Sequence, residues 1–176
     1  MLFLVPVICF SFLRPVLAAL RNVTIDDTYG DPDTGVQFTY APAGNWSLGQ
    51  NCTNCEAHPD PAYTYDKSWH DTTFFPSLDT APPNASVSFN GSAIYVYCIV
   101  YHTTSYPNNY MDLRFLIDGE ETGNFNQIPT GSTEIDYNHL VYKNSSIPHG
   151  VHTFTLVNGQ PGGQAALVLL DYMTYT

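Results

Sequence analysis

The chain is poor in positive charge: five Lys and Arg stand against sixteen Asp and Glu, a formal net charge of −11 over 176 residues. That balance repels phosphate backbones and argues against a nucleic-acid partner. It also disfavours adhesion to an anionic membrane surface. Charged residues of either sign make up only 12%, so charged helix formers are scarce. No stretch beyond the first eighteen residues repeats with the 3.6-residue period of an amphipathic helix. One apolar run opens the chain, and no second run of that length follows it. The sequence contains no G-x-S-x-G elbow, no H-E-x-x-H pair and no phosphate loop, which removes the commonest signatures of hydrolases, zinc proteases and nucleotide enzymes. Internal repeats and low-complexity tracts are absent too.

Turn formers and aromatics are abundant. There are 13 Tyr, 10 Phe, 13 Pro and 12 Gly; aromatic residues suit pleated surfaces, and Pro and Gly suit turns. A hydrophobic fraction of 44% in a chain of this length supports one domain with a real core. The most apolar run after the leader is VSFNGSAIYVYCIVY, residues 87–101. In it Ala93, Tyr95, Tyr97, Ile99 and Tyr101 point one way, and Ile94, Val96, Cys98 and Val100 the other. Period 2 with both faces apolar predicts a central strand, and Asn90-Gly91 before it predicts a hairpin or tight turn. Further strands are expected over 21–25, 36–40, 111–117, 134–142, 151–157 and 165–176, with Asp118-Gly119 turning the third into a return beginning near Gly123. The last is apolar on both faces and so also central. Eight or so strands with turn signals between them predict an all-β fold, an antiparallel β-sandwich or jelly roll. Residues 42–71 stand out as a long irregular segment, a length that points to cross-linking or function.

Residues 1–18 read as a signal peptide, cut after Ala18 or Ala19, leaving 19–176 as a single β-sandwich domain. The basic n-region is missing and Arg14 is misplaced, so an N-terminal membrane anchor is the alternative. Six Asn-X-Ser/Thr sequons, at Asn22, Asn45, Asn51, Asn84, Asn90 and Asn144, agree with secretion as a glycoprotein. Cys9 leaves with the leader. Cys52 and Cys55 form a C-x-x-C that could be a local disulfide, half a zinc site near His58, or a redox pair. A zinc site lacks a fourth ligand and a thioredoxin-like pair lacks its βαβ setting, which favours a structural disulfide. Cys98 is expected to be a buried free thiol.

Sugar rings stack on aromatic faces while amides, carboxylates and imidazoles take their hydroxyl hydrogen bonds. Trp46, Tyr63, Tyr65, Trp69 and His70 share the long segment, and Tyr106, Asn108, Asn109 and Tyr110 share a polar loop. These are the candidate carbohydrate contacts; the competing role for Trp46 and Trp69 is to plug one end of the sandwich. Catalysis finds less support. His70 and Asp71 are strand neighbours that point apart, Glu120-Glu121 sit in a hairpin turn and are solvated, and His149 and His152 make a poor metal pair. A glycosidase needs two carboxylates facing across a cleft, and the expectation is a non-catalytic protein.

Six stretches together carry a resemblance: TIDDTYGD (24–31), the Trp46…Cys52-x-x-Cys55…Trp69-His70-Asp71 segment, FNGSAIYVY (89–97), LRFLIDGEETGNF (113–125), GVHTFTL (150–156) and LLDYMTY (169–175). With them the chain resembles secreted or single-span extracellular proteins abundant in basidiomycete fungi. Their ectodomains look like galactose-binding-like jelly rolls, as in many carbohydrate-binding modules. The resemblance implies a cell-surface or cell-wall protein with a carbohydrate-binding-like module, or a structural or protein-interaction ectodomain. Longer members continue into a Ser/Thr-rich stalk and a membrane span, a pattern from which this sequence departs. The resemblance also implies a structural calcium near the N-terminal strand with a carboxylate from the last strand. Asp171 matches that carboxylate, and Asp26, Asp27 and Asp31 are the other oxygen ligands on offer. A hydrogen-bonded Asp171 without metal is the alternative.

Overall fold

The structure is a computed structural model and describes residues 21–104 and 109–176. The expectation for residues 1–18, and those for Tyr106 and Asn108, lie outside the described residues. Eleven strands are present among the described residues: β1 (Val23–Asp26), β2 (Thr39–Ala41), β3 (Ser47–Leu48), β4 (His70–Phe74), β5 (Asn84–Gly91), β6 (Ile94–Tyr101), β7 (Met111–Ile117), β8 (Glu120–Gln127), β9 (Ile135–Asn144), β10 (Gly150–Asn158) and β11 (Ala166–Tyr175). Among the described residues helix is limited to three-residue 3-10 turns at Gly49–Asn51, Pro61–Tyr63 and Tyr65–Lys67. Among the described residues no helix is long and apolar enough to cross a membrane.

The strands form two antiparallel sheets. One runs β3-β4-β11-β6-β9, with β1 pairing β11 as well; the other runs β2-β5-β10-β7-β8. β4 pairs Ala166–Leu170 and β1 pairs Tyr172–Tyr175, so the two lie end to end along one edge of β11 while β6 takes the other edge. From β4 onward the chain crosses between sheets at almost every connection, and only β7–β8 is a hairpin within one sheet. The fold is an all-β jelly-roll sandwich.

The β7–β8 turn follows from its sequence. Asp118 and Gly119 both have positive φ, the backbone that a two-residue hairpin needs and that Asp-Gly accepts. Glu120 and Glu121 are the first residues of β8, not part of the turn. Asn90-Gly91 behaves differently and corrects the hairpin expectation. Both residues belong to β5, in the five-stranded sheet, while β6 lies in the six-stranded one. Ser92 N–H donates to the Thr176 carbonyl and Ile147 N–H to the Ser92 carbonyl, which ties the crossover to the end of β11. A Cβ on Gly91 would stand 2.6 Å from the Thr176 carbonyl oxygen, so this glycine serves close packing.

The alternation in β6 is as the sequence reads. Ile94, Val96, Cys98 and Val100 enter the core between the sheets with Val87, Phe89, Leu113, Phe115, Phe154, Leu156, Val168 and Leu170. Ile99 faces outward and joins Trp69, Ala57, Leu167 and Leu169 in a second cluster, with Tyr101, Ile135 and Tyr137 at its margin. That cluster needs a cover, and the segment between β3 and β4 supplies it. Cys98 is the buried free thiol expected, its pKa driven far up by burial and then by the charge of Asp171.

Candidate functional site

The outer face of the six-stranded sheet gathers most of the residues with chemical potential. The segment between β3 and β4 lies over it, pinned by a Cys52–Cys55 disulfide. Trp69 holds the segment from below at 2% exposure. Gly49 N–H donates to the Trp69 carbonyl, and a Cβ at Gly49 would collide with the indole nitrogen. Trp69 therefore anchors the cover and presents no face to a sugar. Trp46 is half-buried, donates its indole N–H to the Ala41 carbonyl, and packs 5.0 Å from the Tyr40 ring. His70 is stacked on Tyr40 at 4.0 Å with its Nδ1 2.6 Å from Asp27 Oδ2. These three candidates are consumed by structure.

Tyrosines remain at the surface. Tyr63 is 62% exposed and lies 5.2 Å from the Tyr137 ring. Tyr137 OH accepts the Asp60 N–H, which fixes the cover to β9. Tyr97 stacks on Tyr172 at 4.5 Å, and Tyr65 lies 5.0 Å from Tyr172. Sequence reasoning found Tyr63 and Tyr65 and missed Tyr97, Tyr137 and Tyr172. The alternation had set Tyr97 on one face of the strand with Tyr95, Ile99 and Tyr101 without saying which face meets the core; register supplies the rest, since Tyr97 pairs with Tyr172 on one side and Leu140 on the other.

Beside the cover opens a cleft of about 300 Å³, lined among others by Asn45, Asn54, Glu56, Asp71, Thr73 and Asn109. Asn109 is the candidate from the polar loop that the structure places there; its amide donates to Thr103. Tyr110 OH accepts from the Asn126 amide, away from the cleft lining. Asn45 is both a sequon and a residue of the cleft wall. Among the sequons, Asn22, Asn45, Asn51 and Asn90 are exposed, and Asn84 and Asn144 are half-buried.

The candidate metal ligands divide. β11 has a bulge between Leu170 and Tyr172, and there the Asp171 carbonyl accepts the Asp27 N–H. Asp26, Asp27 and Asp171 thus converge, all buried. Asp26 Oδ1 accepts the N–H groups of Thr28 and Tyr29. Ser68 Oγ donates to Asp27 Oδ1 at 2.7 Å and lies 3.4 Å from Asp26 Oδ1. Asp171 Oδ1 accepts the Tyr65 N–H, while its buried Oδ2 receives nothing. Burial raises Asp171 to about 8, with Asp27 and Asp26 adding to it and the Tyr65 N–H opposing. Burial likewise raises Asp26 to about 6 against the Tyr29 bond, with Asp27 and Asp66 contributing. Asp31 stands apart, its Oδ2 accepting from Thr34 Oγ1 and Tyr175 OH. Among the described residues no group of three or more His, Cys, Asp or Glu has metal-holding geometry. In donor chemistry the junction does fit a hard cation: three carboxylates and a hydroxyl, one carboxylate oxygen orphaned.

No family model matches the sequence, and no curated protein matches it. Solved structures do share the fold. The Agl-KA catalytic domain superposes with a TM-score of 0.51 at 8% identity, over 90% of this chain and 28% of that one. A family 35 carbohydrate binding module from Clostridium thermocellum aligns over 88% of this chain and 97% of its own at 8% identity, TM-score 0.48. An exo-beta-1,3-galactanase from Phanerochaete chrysosporium, crystallised with beta-1,3-galactotriose, aligns over 90% of this chain and 30% of its own at 12% identity, TM-score 0.47. The chain spans nearly all of the isolated module and under a third of the two larger proteins. At these identities the likeness is one of fold.

Proposed function

We propose that this chain is a secreted, N-glycosylated, non-catalytic surface or wall protein, of the fungal kind its sequence resembles, whose sandwich binds carbohydrate on the outer face of the six-stranded sheet. The observation that carries this reading is the tyrosine set: Tyr63 exposed against Tyr137, and Tyr65, Tyr172 and Tyr97 in ring contact beside the cover. Tyrosine offers an apolar face to a sugar ring and a hydroxyl to its neighbours. The adjoining cleft adds amides and hydroxyls for hydrogen bonds. The fold also gathers Asp26, Asp27 and Asp171, all buried, at a strand junction. There a structural calcium would be held by those three carboxylates with Ser68, offsetting their mutual repulsion and giving the orphaned Asp171 oxygen a partner. It would fix β1, the bulge in β11 and the start of the Tyr65 turn relative to one another. A structural or protein-interaction role is favoured by one observation, the burial of Trp69 and the packing of Trp46.

Affinity electrophoresis through gels containing β-glucan, chitin derivatives, mannan or xylan separates the two readings. Retardation by one polysaccharide, lost in Tyr63→Ala, is the expected result, with no reducing sugar released. Equal mobility in every gel overturns carbohydrate binding and leaves the protein-partner reading.

A further inference from the structure

The cleft has one feature that general sugar binding does not require. Asp71 lies on its floor at 5% exposure, and neither carboxylate oxygen receives a hydrogen from the described residues. Oδ2 is buried without a partner. Oδ1 lies 3.3 Å from Cys55 Sγ, but that sulfur is in the disulfide and carries no hydrogen. Nearly every buried polar atom in a folded protein has a partner, and a buried carboxylate lacking one is costly. A bound group that brought a hydrogen to this carboxylate would relieve that cost.

The surroundings say which kind of partner would answer it. No lysine or arginine among the described residues lines the cleft. The titratable groups acting on Asp71 are His70, locked to Asp27 on the far side of β4, and His58 on the cover; Glu56 lines the cleft wall. The remaining lining is amide and hydroxyl, from Asn45, Asn54, Thr73 and Asn109. One buried carboxylate with amide and hydroxyl oxygens around it is too few charges for a dedicated divalent cation site. It suits a protonated primary amine, which carries one charge and three N–H donors.

We propose that the Asp71 cleft selects an amine-bearing sugar, a hexosamine unit whose nitrogen is free and protonated, over its N-acetylated and neutral counterparts. This rests on the carbohydrate-binding reading and narrows its ligand. An N-acetyl group would bring a neutral amide in place of the ammonium and leave the carboxylate charge uncompensated.

Titration calorimetry of short glucosamine oligomers, the matched N-acetylglucosamine oligomers and neutral gluco-oligomers tests it. Asp71→Asn and Glu120→Gln serve as variants, each removing one negative charge; Glu120 is exposed on β8, outside the cleft lining. The expected result is binding of the glucosamine oligomer that Asp71→Asn weakens about tenfold or more, the worth of a charge-assisted hydrogen bond, and that Glu120→Gln leaves unchanged. Equal loss in both variants would mean attraction to net charge and overturns the site. Binding of acetylated or neutral oligomers alone overturns the amine preference while the carbohydrate reading stands. If none of these oligomers binds, the amine preference falls, and the carbohydrate reading stands or falls with the mannan and xylan gels. Asp71→Asn is close in shape and removes an unpartnered charge, so an unchanged or raised Tm checks that the variant is folded.

Discussion

Two aspartate sites, both reaching the strand pair β1 and β11, spend their carboxylates in opposite ways. In the loop after β1, Asp31 Oδ1 accepts N–H groups from Asp33 and Thr34, and its Oδ2 accepts the hydroxyls of Thr34 and Tyr175. Burial pushes its pKa up, but those bonds outweigh burial and hold it below the usual carboxylate value. At the Asp26–Asp27–Asp171 junction burial and mutual repulsion win, and one Asp171 oxygen is left over. The same residue type is thus a finished structural element in one place and an unfinished one in the other. A completed hydrogen-bond set offsets the cost of burying a carboxylate, whereas a leftover acceptor at depth carries that cost in full.

The largest effect expected from this difference is on the pH dependence of stability in chelator. Asp26, Asp71 and Asp171 are raised from 3.8 to about 6, about 6 and about 8. Each binds its proton more tightly folded than unfolded, so its stabilising contribution is complete below the unfolded value and is lost as pH rises through the folded value. Every pK unit is worth about 1.4 kcal/mol, and 1 kcal/mol moves Tm by roughly 2–4 °C in a chain of this size. Thermal unfolding should therefore occur roughly 10 °C or more lower near pH 8 than near pH 4–5. A Tm that rises with pH over that window would show that the junction carboxylates are already compensated. Calcium should act next in size. At a hundredfold excess over Kd it contributes ~2.7 kcal/mol, and the Tm gain should appear at the alkaline end, where Asp26 and Asp171 are ionised. A melting curve indifferent to both calcium and chelator removes the metal from the junction.

How far the sequence reached follows the same division. Strand existence was legible wherever period 2 ran unbroken, as in β6, β7, β10 and β11, because alternation is a local consequence of burial on one or two faces. Strand pairing was legible at the Asp118-Gly119 hairpin and not elsewhere, and Asn90-Gly91 shows why. A dipeptide that favours a tight turn here lies in β5, and the link between it and β6 is set by contacts with Thr176 and Ile147, remote in sequence. Tyr63 and Tyr65 could be named as surface aromatics. Tyr137 and Tyr172 could not, because they reach the site only through the register of β9 and β11 on β6. Asp26, Asp27 and Asp171 could be grouped through the resemblance, although the β-bulge at which they meet leaves no sequence mark. The separateness of Asp31 depends on Tyr175 pointing toward it from the end of β11.

The smallest effect is also the most discriminating, because the two segments should respond with opposite sign. Asp31→Asn keeps one oxygen for the Asp33 and Thr34 N–H groups but sets an amide against the hydroxyls of Thr34 and Tyr175, which now donate to the carboxylate. Losing those charge-assisted bonds should cost about 1–2 kcal/mol, with or without calcium. Asp171→Asn keeps an oxygen for the Tyr65 N–H and removes a buried charge whose second oxygen has no partner. Its new amide can donate toward the neighbouring carboxylates instead of repelling them. In chelator near pH 8 that variant should be as stable as the parent or more so, and it should gain nothing when calcium is added. If Asp171→Asn instead loses as much as Asp31→Asn under chelation, the leftover oxygen carries no cost in the folded protein, and the contrast between the two segments is one of hydrogen-bond count alone.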